Sequence, residues 1–166
     1  MKIPPPLGFS TFPTPLGKFS IAVTPTGCVA ATAFGGKAAL SRRLGGERLV
    51  RDSRGCAPAR AQVEEWFRGA RRRFSLRLRP SGTPFQRRVW SALSRIPFGQ
   101  TRSYDDIAGA LRSSARAVGR ANATNPICLL VPCHRVIGSD GSLTGFAFGL
   151  TRKRRLLSIE REAFSG

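Results

Sequence analysis

The residues best placed to do chemistry lie in Leu130-Val131-Pro132-Cys133-His134-Arg135-Val136-Ile137-Gly138, where a cysteine directly precedes the only histidine of the chain. A free thiol is mostly protonated at neutral pH and the thiolate is the nucleophile, so a nearby base would make Cys133 reactive. Adjacent side chains point to different faces in regular structure, so Cys133 and His134 need a third group, or a water, to act as a pair. A buried carboxylate is the usual group that orients such an imidazole. Glu160 fits, because it lies beside Leu156, Leu157 and Ile159 on a predicted helix, where an unpaired carboxylate would be costly. The same residues also fit a buried core cysteine, with Glu160 capping the helix or pairing with Arg161; spacing leaves both readings open. A cysteine protease or thiol acyltransferase is disfavoured, since those enzymes take their histidine from far along the chain.

Composition says what such a thiol could meet. Lys and Arg number 28 against 9 Asp and Glu, a formal net charge of +19. A surface of that sign attracts polyanions, nucleic acid first, ahead of an arginine-biased codon usage or an acidic membrane surface. With 166 residues and 41% apolar content, the chain can bury a proper core as one domain or two small ones. No apolar run suits a membrane span, and Met1-Lys2-Ile3-Pro4-Pro5-Pro6 lacks a signal-peptide core, so a cytoplasmic (or, in a eukaryote, nuclear) location is expected. Cys28, Cys56, Cys128 and Cys133 form no CxxC pair and are expected reduced; a Cys28–Cys56 disulfide is conceivable only in a hyperthermophile. A zinc site would have to combine distant cysteines with the single histidine, and no metal is expected.

The elements that must position Cys133 can be read in order. Phe19 to Val23 and Cys28 to Phe34 read as strands around the turn Thr24-Pro25-Thr26-Gly27, whereas Leu40 to Arg54 resists assignment. A helix is predicted from Pro58, with Val63, Trp66 and Phe67 on one face. Phe74 to Leu78 alternates like a strand and ends at Pro80-Ser81-Gly82, the expected domain boundary. Thr83-Pro84-Phe85-Gln86 opens a helix with a capping box, burying Phe85, Val89 and Leu93 with Trp90 flanking. Ser103 and Asp106 cap a second helix through Ile107, Ala108 and Leu111; Ser113 or Ser114 caps a third over Ala115 to Asn122. Two short helices with a tight link suggest helix-turn-helix. Ile127 to Val131 reads as a buried strand leading to the Cys133 turn, Leu143 to Gly149 as a loop, and a last helix starts at Thr151.

Pro132-Cys133-His134-Arg135-Val136-Ile137 resembles the active-site motif of the O6-alkylguanine-DNA alkyltransferases. The resemblance continues through Thr83-Pro84-Phe85-Gln86, Val89-Trp90, Ile96-Pro97, Thr101-Arg102-Ser103-Tyr104, Ile107-Ala108, Arg116-Ala117-Val118-Gly119, Ala121-Asn122, Asn125-Pro126 and Leu156-Leu157 before Glu160, with a looser echo at Thr14-Pro15-Leu16-Gly17. It covers roughly residues 58 to 162 in matching order.

The resemblance implies an α+β fold: a small antiparallel sheet with a helix over residues 1–82, ribonuclease-H-like, then a mainly helical domain with helix-turn-helix over 83–166. It implies that Cys133 takes an alkyl group, mainly methyl, from O6 of guanine (and from O4 of thymine) in one irreversible step. No cofactor is needed. His134, Glu160 and a water would generate the thiolate, with Asn125 as the hinge behind the cysteine turn. The lesion would be flipped out of the duplex. Arg116 would fill the gap, and Ser114, Ala115, Ala117, Gly119 and Arg120 would meet double-stranded DNA through its minor groove, with the protein a monomer. Tyr104, Val136, Leu143, Phe146, Ala147 and Phe148 would surround the flipped base, the carbonyls of Cys133 and Val136 accepting from its amino group. The alkyltransferase-like proteins bind lesions but lack the acceptor cysteine, which this chain has.

Two departures from the family pattern carry expectations. Gly109 to Ser114 lacks the usual glycine-x-proline turn and is shorter by about two residues, which bears on the angle between the two helices. In Gly145-Phe146-Ala147-Phe148-Gly149, Phe148 stands where the family has a glycine. It should narrow the pocket rim and favour methyl over benzyl-sized adducts.

Overall fold

The computed structural model describes residues 2–165, which divide into two compact units, Met1–Ser81 and Gly82–Gly166. In the first, β1 (Leu7–Thr14), β2 (Gly17–Val23), β3 (Val29–Phe34) and β4 (Leu49–Arg51) form one sheet in the order β3-β2-β1-β4. β1 pairs antiparallel with β2 and parallel with β4, and β2 pairs antiparallel with β3. A short helix, α1 (Lys37–Arg42), bridges β3 and β4, and α2 (Ser53–Phe67) packs on β1 and β2. The core is aromatic: Phe19 stacks edge-on with Phe12 and Phe34, at 5.9 and 5.0 Å between ring centroids, and α2 adds buried Cys56, Ala59, Val63 and Trp66.

Two expectations for this unit change. α2 begins five residues before Pro58, because the Asp52 side chain accepts from the Gly55 amide at 2.9 Å and caps the helix there. Phe74 to Leu78 keeps its alternation of exposure but is not a strand; its ladder is a single bridge to Val29, whose N–H and carbonyl bond to Arg77 and Arg79 at 2.8 Å. The cysteines Cys28 and Cys56 form no disulfide: Cys56 is buried under the sheet with its thiol donating to the carbonyls of Gly8 and Ile21. The unassigned Leu40 to Arg54 stretch holds the end of α1 and β4, elements too short to show a period.

The second unit is mainly helical. α3 (Pro84–Ser94) opens with the predicted capping box, in which Thr83 Oγ1 accepts from the Gln86 amide and Gln86 Oε1 accepts from the Thr83 amide. Trp90 is fully buried, with its indole N–H donating to the Ala121 carbonyl at 2.7 Å, and Phe85 is only half-buried, the reverse of the expected order. That hydrogen bond explains the inversion, since a buried tryptophan needs a partner for its N–H. α4 (Tyr104–Leu111) follows the short strand β5 (Arg102–Ser103), and α5 (Ala115–Ala123) follows a link of three residues, Arg112, Ser113 and Ser114. Arg112 turns the chain at φ 54°, a left-handed position usually given to glycine, while the Ser113 amide closes back on the Ala108 carbonyl at 2.9 Å. The tight turn is therefore made without a glycine-x-proline.

Ile127 to Val131 is buried as expected, yet it is not a strand. Leu129 takes φ 73°, and the Leu130 and Val131 amides bond back to Cys128 and Ile127, coiling the run into a compact knot. A short apolar run reports burial without reporting its backbone shape. A single 3-10 turn (Cys133–Arg135) leads into β6 (Val136–Ile137), which lies parallel to β5, and α6 (Leu150–Ser165) closes the unit. Among the described residues no helix is long and apolar enough to cross a membrane.

Candidate functional site

The Cys133 turn is held by two asparagines, Asn122 near the end of α5 and Asn125 just beyond it. Asn125 donates Nδ2–H to the Val131 carbonyl at 2.9 Å and accepts the Ile127 amide at 3.0 Å, bracing both sides of the knot. Asn122, on α5, donates to the carbonyl of Cys133 itself at 3.5 Å. Both side chains are buried, where each amide bond of this kind contributes about 1 kcal/mol and its loss costs more. Cys133 is buried, with 4% of its surface exposed.

Beyond Cys133, two side chains and one backbone amide converge on the Glu160 carboxylate. His134 Nε2 lies 2.6 Å from Glu160 Oε2, and Arg135 Nε donates to both oxygens at 2.9 and 3.1 Å. The Gly99 amide adds a fourth bond, to Oε1, at 2.9 Å. Burial alone would raise the Glu160 carboxyl, but the hydrogen bonds and charges of His134 and Arg135 prevail and bring it to about 2. His134 is fully buried, and burial holds it below its usual range despite Glu160. At neutral pH the set is therefore a carboxylate paired with the Arg135 guanidinium, and a neutral imidazole donating Nε2–H to Glu160. That tautomer leaves Nδ1, which is itself buried, as the basic nitrogen. Arg135 is fixed in turn by the Ile96 carbonyl at 2.7 Å and the face of Phe98.

A second buried cation lies on α6. Lys153 on α6 has no exposed surface, and its ammonium donates to the carbonyls of Val136 at 2.6 Å and Thr144 at 2.7 Å. It also lies 5.7 Å from the centre of the Tyr104 ring. The Tyr104 hydroxyl donates to the carbonyls of Thr144 and Gly145, at 3.0 and 3.4 Å. Lys153 and Tyr104 thus hold the same stretch of the 143–149 loop from two sides, and the β5–β6 pairing sets Val136 beside the start of α4. Burial lowers the Lys153 ammonium to about 8, opposed by the charge of Cys133, and burial raises the Tyr104 phenol. A thiolate at Cys133 therefore acts electrostatically on both side chains.

The remaining expected residues fall on two surfaces. Phe146 and Phe148 are half-buried and meet edge-on at 5.8 Å, with Ala147 exposed between them. Leu143 lines a cleft of about 260 Å³ with Gly99, Ile137, Leu157, Glu160 and Arg161. On α5, Ser114 caps the helix by accepting the Ala117 amide at 3.1 Å, and Arg116 and Arg120 are exposed one turn apart. Ala115, Ala117 and Gly119 are half-buried; a Cβ on Gly119 would reach only ordinary contact with the Tyr104 ring, at 4.0 Å. Among the described residues no group of three His, Cys, Asp or Glu side chains is arranged to hold a metal.

Sequence reasoning gave no role to Arg135, Asn122 or Lys153. Lys153 had a signal: with Leu156, Leu157 and Glu160 it completes an i, i+3, i+4, i+7 stripe, and it is the only lysine of its unit. Arg135 and Asn122 stood inside the matched motifs, but nothing in their spacing says that one binds Glu160 and the other Cys133.

Residues 84–162 match the family model described as the 6-O-methylguanine DNA methyltransferase DNA-binding domain. The constitutive methylated-DNA–protein-cysteine methyltransferase of Bacillus subtilis is 52% identical over 111 residues, 65% of this chain and 67% of its own length. The crystal structure of Mycobacterium tuberculosis O6-methylguanine methyltransferase superposes with a TM-score of 0.82 at 36% identity, over 95% of this chain and 94% of that one. A structure of the M. tuberculosis protein in complex with DNA gives 0.84, at 36% identity over 94% of each chain.

Proposed function

The chain belongs to the methylated-DNA–protein-cysteine methyltransferase family, and on that premise we propose that it repairs O6-alkylguanine in DNA by moving the alkyl group onto its own Cys133, once per molecule. The observation that carries this reading is the buried chain from His134 through Glu160 to Arg135, which begins at the residue next to Cys133. The neutral imidazole accepts the thiol proton at Nδ1, through water, and the imidazolium is stabilised by Glu160. The thiolate sulfur then attacks the alkyl carbon. The S–C bond forms as the C–O6 bond breaks, the electron pair leaves with guanine, and the departing base takes up a proton. The thioether has no route back to a thiol, so turnover ends there, and the chemistry calls for no cofactor.

The base reaches Cys133 by flipping out of the duplex. Arg116, exposed on α5, fills the gap, and Tyr104 meets the base edge. The Val136 carbonyl, with a second lone pair beyond its bond to Lys153, accepts from the guanine amino group, and the Cys133 carbonyl shares that role beside the bonds it takes from Asn122 and the Val136 amide. The small side chains Ala115, Ala117 and Gly119 beneath Ser114 and Arg120 suit close approach through the minor groove. Phe146, Ala147, Phe148 and Leu143 border the adduct, with methyl preferred and O4-alkylthymine a second substrate. The whole relay lies in one chain, so a monomer in the cytoplasm, or the nucleus of a eukaryote, suffices. Titrating an O6-methylguanine duplex with the protein tests this: repair stops at one lesion per molecule, and continued turnover would overturn it. A lesion-binding protein without chemistry would repair none.

A further inference from the structure

The unit Met1–Ser81 holds none of the residues just described, yet it carries 15 Lys and Arg against 4 Asp and Glu, a formal +11 of the chain's +19. Six of those arginines fall between Arg68 and Arg79, a stretch without a single carboxylate. Of the unit's four acids, Glu64 pairs with Arg60 and Asp52 caps α2, while Glu65 pairs with Arg71 of this stretch. The segment's six arginines therefore outnumber the carboxylates of their own unit, four in all.

The backbone there is fixed. Gln62 grips Ser75, accepting its amide at 2.9 Å and donating to its hydroxyl at 3.1 Å. Val29 bonds to Arg77 and Arg79 at 2.8 Å each, holding the end of the stretch extended. Phe74, Leu76 and Leu78 are half-buried and alternate with exposed Arg73, Ser75, Arg77 and Arg79. On an extended chain, every second residue recurs at ~6.6 Å, a spacing of the same order as the step between phosphates along a nucleic-acid strand. Guanidinium groups bind phosphate in a fixed, two-pronged geometry, so a rigid row of them is suited to a backbone rather than to a base sequence.

We infer that Arg68–Arg79 is a second contact surface for double-stranded DNA, one that grips phosphates without reading sequence and is separate from α5. The inference takes from the proposed function only that DNA is the partner. The experiment uses the full chain and an undamaged duplex oligonucleotide, with affinity measured across a range of salt concentrations. The triple variant R68Q/R73Q/R79Q should lower the magnitude of the slope of log K against log salt by about 2 to 3, since each lost phosphate contact removes ~0.9. A charge-matched control, R42Q/R51Q/R54Q, changes exposed arginines elsewhere in the same unit and should leave the slope nearly at the wild-type value. Equal effects from both triples would mean general attraction by net charge and overturn the inference, as would an unchanged slope in the first. Methylation of Cys133 at saturating O6-methylguanine DNA reads the acceptor site independently and should stay at the wild-type rate in both triples. A fall in the first triple alone would make the segment structural and also overturn it. No methylation in the wild type would count against the proposed function, whatever the slopes.

Discussion

The imidazole of His134 and the carboxylate of Glu160 lie 2.6 Å apart with virtually no exposed surface on either, joined from α6 to the cysteine turn across 26 residues of sequence. Arg135 binds the same carboxylate from the other side, so the histidine can stay neutral while Glu160 keeps its charge. The arrangement leaves Nδ1 as the ring nitrogen not facing Glu160, the base that the proposed reaction at Cys133 requires.

Glu160→Gln keeps the shape and one acceptor oxygen but removes the charge that fixes the tautomer. The rate of methyl transfer from an O6-methylguanine duplex should fall by about 10²-fold or more, with binding of the duplex little changed. Stopped-flow or quench kinetics at saturating DNA would show it. A rate within threefold of wild type would mean that the thiol is activated by something else.

The same carboxylate makes an acid-sensitive contribution to stability. Its folded pKa of about 2 lies below the 4.5 of an unperturbed glutamate, so the stabilisation is fully present above pH 4.5 and is lost as pH falls toward 2. The depression corresponds to about 3 kcal/mol. Urea unfolding at a series of pH values should show the wild type losing roughly that much more between pH 5 and 2 than Glu160→Gln. Parallel curves for the two proteins would place the acid sensitivity elsewhere.

Most of the second unit's fold could be read from residue order, and the reasons differ by element. The capping boxes at Thr83 and Ser103 are local, three-residue signals, and both helices start where those signals put them. Glu160 was legible because a carboxylate on an apolar helical stripe needs a partner, and His134 was the only histidine available. Lys153 obeyed the same logic on the same stripe, but lysine is ordinarily read as solvated, and its partners are main-chain carbonyls that have no sequence signature. The knot at Ile127–Val131 was hidden for a related reason: its shape is set by backbone bonds and a left-handed Leu129. In the first unit, β1 and β4 pair across more than thirty residues, which no local pattern reports.

Lys153→Met retains the length of the side chain and removes the ammonium. The 143–149 loop then loses its bond at Thr144, and Val136 loses its donor, so the transfer rate at pH 7 should drop by about tenfold through mispositioning. The pH dependence separates this from a general packing defect. With the folded pKa lowered to about 8 from 10.5, the unfolded chain binds the extra proton in that window, so wild-type stability rises from pH 8 to 10.5 while its transfer rate declines. Both trends should be absent in Lys153→Met; their persistence would assign them to another group.

Phe148 packs edge-on against Phe146 in the 143–149 loop, the position proposed to border the adduct. Phe148→Gly should speed reaction with free O6-benzylguanine by about tenfold, the scale of relieving one steric contact, and should leave the rate on O6-methylguanine DNA within threefold. A benzyl rate that does not respond would show that the rim is set by other side chains.

The central claim is that the methyl group ends on one named sulfur. Intact-mass measurement after incubation with an O6-methylguanine duplex, followed by peptide mapping, tests it directly. The account predicts a gain of a single methyl, confined to the peptide carrying Cys133 and absent from Cys133→Ser. A methyl on Cys28, Cys56 or Cys128, or repair by Cys133→Ser, would contradict it.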